Sequence, residues 1–216
     1  MIFIGICIVV FLHQVNRPQE AAELFAFQYG TIPAIVFGQA SLPEEAVAIS
    51  ASLTLVTSMF LHGSWVHLLG NMLYLWIFGN NIEDAMGHTK FIVFYILSGI
   101  LAALSHAFTD PSSQIPMVGA SGAISAVLGA YLLLFPHAHV LVLLPMIGMT
   151  RVPAGIVLGM WFITQLISSG MSVGASGGGV AFFAHIGGFI AGMALIGLFK
   201  RKEVRFFSPG RSTWSS

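Results

Sequence analysis

Gly119-Ala120-Ser121-Gly122-Ala123 opens an apolar run that continues to Phe135. A serine among small residues at the mouth of an apolar helix has two readings. Small residues let membrane helices pack closely. A serine so placed is also a candidate nucleophile. The pentapeptide alone does not separate the two. The rest of the chain does, because it sets several histidines and one asparagine at the same depth, one histidine lying on a second glycine-rich helix.

The setting is a membrane. Of 216 residues, 56% are hydrophobic and 7% charged, against about 25% charged in a soluble domain. The apolar segments are long runs and not alternating strands, which argues for a helical bundle over a β-barrel. The formal net charge is zero, so nothing in the composition points to nucleic acid. Cys7 is the lone cysteine and has no disulfide partner within the chain.

Taken in order, the sequence predicts six helices: Met1 to Gln14, Ser64 to Ile82, Thr89 to Phe108, Gly119 to Phe135, Pro153 to Ile167 and Ala181 to Phe199. The first lacks a basic n-region and a small-residue cleavage site, so it reads as a short helix and not as a signal peptide. Ser64 is placed to cap the second helix, which Glu83-Asp84 and Gly87-His88 end. Pro136 stops the fourth, and Pro153 stands at the first position of the fifth. Val15 to Gly63 reads as an external loop with amphipathic turns at the membrane surface. Val140 to Met146, interrupted by Pro145, is a loop against the bundle or an extension of the fifth helix. Residues 1–199 thus form one all-α, six-transmembrane-helix bundle, and residues 200–216 a basic cytoplasmic tail.

Six spans put both termini on one side. With the tail inside, Lys90, Arg151, Lys200, Arg201, Lys202, Arg205 and Arg211 are all cytoplasmic, and only Arg17 is outside. His67, Asn71, Ser121 and His185 then share one layer just below the outer surface. Polar groups at such depth are costly and converge on the bundle interior.

Serine needs a base, and histidine is the usual one. His185 fills that role on paper, with a packing histidine as the alternative. No acid in the layer orients it, since Asp110 lies in a loop and Glu83 at the opposite face. The reading is therefore a Ser–His dyad. Asn71, His67 four residues earlier on the same helix face, and the backbone N–H of Ser121 could stabilise an oxyanion, or the two side chains could simply glue helices together. His62 reads as ordering the loop before the second helix. Close approach of Ser121 to His185 needs small residues. Gly122, Ala126 and Ala130 supply them on one helix, Gly188 and Gly192 on the other.

These elements together resemble the rhomboid family of intramembrane serine proteases. The matching stretches are His62-Gly-Ser-Trp-Val-His67-Leu-Leu-Gly-Asn71, Asn81-Ile-Glu83-Asp-Ala-Met-Gly87, Gly119-Ala-Ser121-Gly122 and Ala184-His185-Ile-Gly-Gly188-Phe-Ile-Ala-Gly192. They stand in the family's order and cover about residues 54 to 199. The resemblance implies Ser121 as nucleophile, His185 as general base, His67 and Asn71 as oxyanion donors, Gly119 as the glycine beside the nucleophile, and His62 and Glu83 as structural polar residues. It implies cleavage of single-span or polytopic membrane proteins near the outer face, in the lipid bilayer, with no metal or cofactor. Two departures stand out. Members often carry a tyrosine four residues after the nucleophile, packed on the histidine, where this chain has Ser125. Many have a Trp-Arg pair in the first external loop, which is absent between Val15 and Gly63.

Two rivals remain in view: an inactive rhomboid-like scaffold that binds membrane clients, and a metal transporter using His62, His67, Asn71 and His185. Inactive relatives typically lose the serine or the histidine, and both are present. Metal sites usually add carboxylates or thiolates, which this layer lacks. The Gly/Ser-rich stretch Ser168 to Val180 could cap the site. Trp161 and Phe162 either gate sideways access or face lipid. The short loops suggest a bacterial or archaeal cytoplasmic membrane.

Overall fold

The computed structural model describes residues 2–144, 148–172 and 181–208. The proposed cap falls largely on residues outside this set, as do Pro145, Met146 and Arg211. The described helices are α1 (Ile2–Val15), α2 (Gln19–Tyr29), α3 (Pro33–Val36), α4 (Ala51–Thr57), α5 (Trp65–Met86), α6 (His88–Thr109), α7 (Ser121–Leu134), α8 (Ala154–Ser172) and α9 (Phe182–Phe199). The six expected apolar helices correspond to α1 and α5 to α9. Two of them, α6 and α9, are long and apolar enough by themselves to cross a membrane. Glu44–Phe60 and α5 together pass the same test, bent by 81° at the break. α1 and α7 have 14 residues each. At 1.5 Å per residue each is only about 21 Å long, short of a hydrocarbon core of about 30 Å.

Local chemistry sets the boundaries. Ser64 caps α5 as expected, its Oγ accepting the His67 N–H at 3.1 Å. Glu83 and Asp84 do not end that helix, which runs on to Met86. Gly87 closes it at φ 90°, donating its N–H to the Glu83 carbonyl and accepting from Phe91 N–H as α6 begins. Only glycine takes that conformation cheaply. At the same end, Arg201 N–H bonds the Ala85 carbonyl. Phe135, out of helical geometry at φ −133° and ψ 47° before Pro136, ends α7.

Two expectations change. His139–Leu144 and Gly148–Pro153 form an antiparallel pair, β1 and β2, in register from His139 opposite Pro153 to Leu144 opposite Gly148. This segment is neither an irregular loop nor part of a helix, because a short apolar run does not by itself distinguish strand from helix. Pro153 ends β2, and α8 starts at Ala154. The long connection after α1 is also more ordered than surface turns. It contains α2 to α4 and is tied down by a buried polar group. Thr31 Oγ1 donates to the Thr54 carbonyl at 2.9 Å and lies 3.0 Å from Ser58 Oγ. That network anchors the loop without a Trp-Arg pair.

The core runs along the middle of the bundle. Phe91, Phe94 and Tyr95 of α6, Leu128 of α7 and Phe189 and Ile196 of α9 are fully buried. α1 joins it through Phe3, Cys7 and Phe11, with the Phe3 ring stacked on Tyr95 at 4.1 Å. Leu69, Leu73, Trp76, Val93, Ile163, Ile190 and Leu198 point outward and exposed. Such an apolar exterior is what a bilayer covers.

Candidate active site

α7 and α9 meet backbone to backbone. A Cβ on Gly188 would run into the Gly122 carbonyl, and one on Gly192 into the Ala126 carbonyl. Gly129, which the sequence reading overlooked, makes the same kind of contact with the Phe189 carbonyl. Side chains from the two helices therefore converge. Ser121 Oγ lies 2.8 Å from His185 Nε2. An imidazole nitrogen at that distance from a hydroxyl can take its proton during nucleophilic attack.

The approach to Ser121 is fixed from below. Met117 pairs with Thr31, N–H to carbonyl in both directions at 2.8 and 3.0 Å, and Gly119 N–H bonds the Ser58 carbonyl at 2.9 Å. The Met117 carbonyl, four residues before Ser121, is thereby committed to Thr31. The Ser121 N–H, in the first turn of α7, is left without an intrahelical acceptor. Gly119 has φ 132°, and a Cβ there would lie 2.7 Å from His67 Nε2. The backbone conformation favours glycine, and a Cβ would displace the His67 ring from its place beside the serine.

A cavity of about 1280 Å³ collects Ser121, His185, His67, Asn71, His106 and Trp161. Asn71 is buried, and its Nδ2 has no hydrogen-bond partner among the described residues. A buried amide N–H₂ without an acceptor costs free energy, and here it borders the space beside the serine. His62 is not part of that lining. Its buried ring packs edge-on against Phe11 and His67 at 6.5 and 5.1 Å, and the His62 backbone N–H donates to Gln14 Oε1 at 3.2 Å. Glu83 is at the far end of α5, with Oε1 2.8 Å from His88 Nδ1. Neither belongs to the serine's immediate surroundings.

Ser125, in place of a tyrosine, donates to the Ser121 carbonyl at 2.6 Å and does not support the histidine. Support comes from α8. Trp161 lies over His185 at 5.9 Å, tilted by 38°, and Gln165 Oε1 is 2.7 Å from His185 Nδ1. Trp161 also lies 6.0 Å from Phe189, and Phe162 stacks on Phe189 at 4.5 Å. Both aromatics therefore pack between α8 and α9. Gln165 was missed by the search for an acid. Its signal in the sequence is a lone amide inside an apolar run, four residues after Trp161 and so on the same face.

A family model described as "Rhomboid domain" matches residues 50–202. The chain belongs to the rhomboid family. This rhomboid is 29% identical over 160 residues to Rhomboid protein 1, mitochondrial, of Saccharomyces cerevisiae, covering 72% of this chain and 44% of that protein. It is 33% identical over 178 residues to Presenilin-associated rhomboid-like protein A, mitochondrial, of Danio rerio, covering 74% and 44% respectively. The Bos taurus protein named Presenilin-associated rhomboid-like protein, mitochondrial, is 30% identical over 183 residues, covering 80% and 45%. The rhomboid chain therefore spans less than half the length of these relatives.

All three relatives are mitochondrial by name, which overturns the assignment to a bacterial or archaeal cytoplasmic membrane with cytoplasmic termini. Hydropathy reports that a bilayer is present, and basic-residue asymmetry reports which end of a bundle carries the positive charge. Neither says which bilayer it is. Phe207 and Ser208 N–H groups bond the Leu133 and Leu134 carbonyls at the end of α7 opposite Ser121.

Proposed function

We propose that this rhomboid is an intramembrane serine endopeptidase that cuts transmembrane segments of other membrane proteins. The observation that carries the reading is the 2.8 Å separation of Ser121 Oγ and His185 Nε2 inside a polar cavity of an otherwise apolar bundle. In this mechanism Ser121 Oγ attacks the scissile carbonyl carbon while His185 Nε2 takes the hydroxyl proton. The carbonyl π electrons move to oxygen. The resulting oxyanion is held by Asn71 Nδ2, the Ser121 N–H and His67. His185 then returns the proton to the leaving amine, and water repeats the sequence on the acyl-enzyme.

The bundle works as six spans, with α1, α7 and α8 completing the crossings suggested by α6, α9 and the bent α4–α5 pair. Cleavage takes place toward the membrane face opposite the basic tail. Substrates are single-span or polytopic proteins that reach the cavity from the bilayer. The purified rhomboid incubated in liposomes with a single-span reporter protein tests this reading. Wild type should release two fragments and Ser121→Ala none. Equal cleavage by both proteins would exclude a serine mechanism.

A further inference from the structure

The geometry points to Gln165 as the third member of this site, a positioning residue that holds His185 in the tautomer able to accept the Ser121 proton. The inference rests on the reading of Ser121 and His185 as nucleophile and base. A neutral imidazole carries one N–H and one lone pair. For Nε2 to accept from Ser121 Oγ, the ring proton must sit on Nδ1, and a buried Nδ1–H needs an acceptor. Gln165 Oε1, at 2.7 Å, is that acceptor.

The amide is itself oriented. Gln165 Nε2 lies 3.4 Å from Thr164 Oγ1, and the Thr164 hydroxyl donates to the Trp161 carbonyl at 2.6 Å. A flipped amide would turn its N–H₂ toward Nδ1. The ring would then need its lone pair on Nδ1 and its proton on Nε2, facing Ser121. Amide orientation, tautomer and nucleophile activation are thus one coupled choice. A neutral amide suits this depth better than a carboxylate, which is far costlier to take out of water.

The same helix face supplies further support: Trp161 lies one turn before Gln165 and 5.9 Å from the His185 ring. On α9 itself, Phe182 meets the ring edge-on at 6.3 Å. Because the Ser125 hydroxyl is spent on the Ser121 carbonyl, the task of orienting the histidine falls to α8 and not to α7.

The test compares wild type with Gln165→Leu, Gln165→Met and Gln165→Glu, read by reporter cleavage in liposomes and by the rate of fluorophosphonate labelling at Ser121. Leucine and methionine fill the space without the carbonyl. Both should lower kcat and the labelling rate by about 10- to 100-fold, the size expected when a histidine loses its orienting partner, with KM changed by less than about 2-fold. Glutamate keeps an acceptor, at the desolvation cost of its charge, and should retain more activity than leucine or methionine. Nitrogen-15 NMR of labelled histidine in micelles, with His185→Ala identifying the signal, should show the ring protonated on Nδ1 in wild type and displaced from that form in the leucine variant. Near-wild-type kinetics in the leucine and methionine variants, or an unchanged tautomer, would overturn the assignment. A wild type that neither labels nor cleaves overturns the protease reading instead. The tautomer measurement requires no turnover and decides Gln165 separately.

Discussion

Gly192 of α9 lies so close to Ala126 of α7 that a Cβ on it would meet the Ala126 carbonyl and come within 2.6 Å of its Cα. Backbone cannot yield there as a flexible side chain would. Gly192→Val should force the helices apart. The expected cost is about 1–3 kcal/mol, typical of overpacking. Because the same interface sets the distance from Ser121 to His185, cleavage should fall by more than the loss of folded protein explains. Thermal unfolding and activity per folded molecule, measured together, check this. Unchanged specific activity would show that the site tolerates a wider helix separation.

Ser121→Ala and His185→Ala should each abolish reporter cleavage while leaving the helical content intact, since neither change creates a large cavity. The double variant should be no worse than either single one, because a nucleophile and its base act as a unit. Additive losses would mean that His185 has a separate role.

Much of this site was legible in the sequence because membrane helices restrict where polar residues can lie. Ser121, His185, His67 and Asn71 were placed in one layer, and the structure brings all four to one cavity. Gly122, Gly188 and Gly192 declared the close α7–α9 contact by their spacing. What was missed has physical reasons. Gln165 is neither acidic nor basic, so a search for an orienting acid passes over it. The β1–β2 pair lies in a short apolar stretch whose period is ambiguous, and the pairing partner of Leu141 is Arg151, a residue no local pattern would select. The buried group of Thr31, Thr54 and Ser58 joins residues far apart in the chain, and no local pattern registers such a contact.

Asn71→Ala should lower the maximal rate by about 10²–10³, the usual effect of removing one oxyanion donor. Its Nδ2 is buried without a partner among the described residues, so its removal should not destabilise the protein through a lost bond. KM should change little. A rise in KM at constant kcat would make Asn71 a substrate-contact residue.

The span count and relative orientation are checked by cysteine scanning in sealed proteoliposomes of uniform orientation, starting from a Cys7→Ser background. A cysteine at Gln39 and one at Lys202 should be modified from opposite sides by an impermeant reagent. A cysteine at His88 should behave like Lys202, because Gly87 and Arg201 meet at the same end of the bundle. Gln39 and Lys202 labelled from the same side would break the six-span arrangement.

The last expectation separates an activated serine from an inert one without knowing any substrate. A fluorophosphonate forms its Oγ–P bond by displacing fluoride, and the hydroxyl proton must leave as the bond forms. An ordinary serine has no acceptor for that proton, whereas Ser121 has His185 Nε2 at 2.8 Å. Labelling should therefore occur once, at Ser121. Protonated His185 has no lone pair on Nε2, so labelling should be weak in acid, rise as the ring loses its proton and then level off. His67 and His106 share the cavity and could shape the same profile. The variants distinguish them. His106→Gln should keep the acid limb, with at most a shifted midpoint. His67→Ala should slow labelling at every pH by weakening oxyanion stabilisation. His185→Ala should remove labelling altogether, because Asn71 and the Ser121 N–H stabilise charge but cannot take the proton. Steady labelling of the His185→Ala variant would break the dyad and leave a membrane scaffold that binds clients as the better reading.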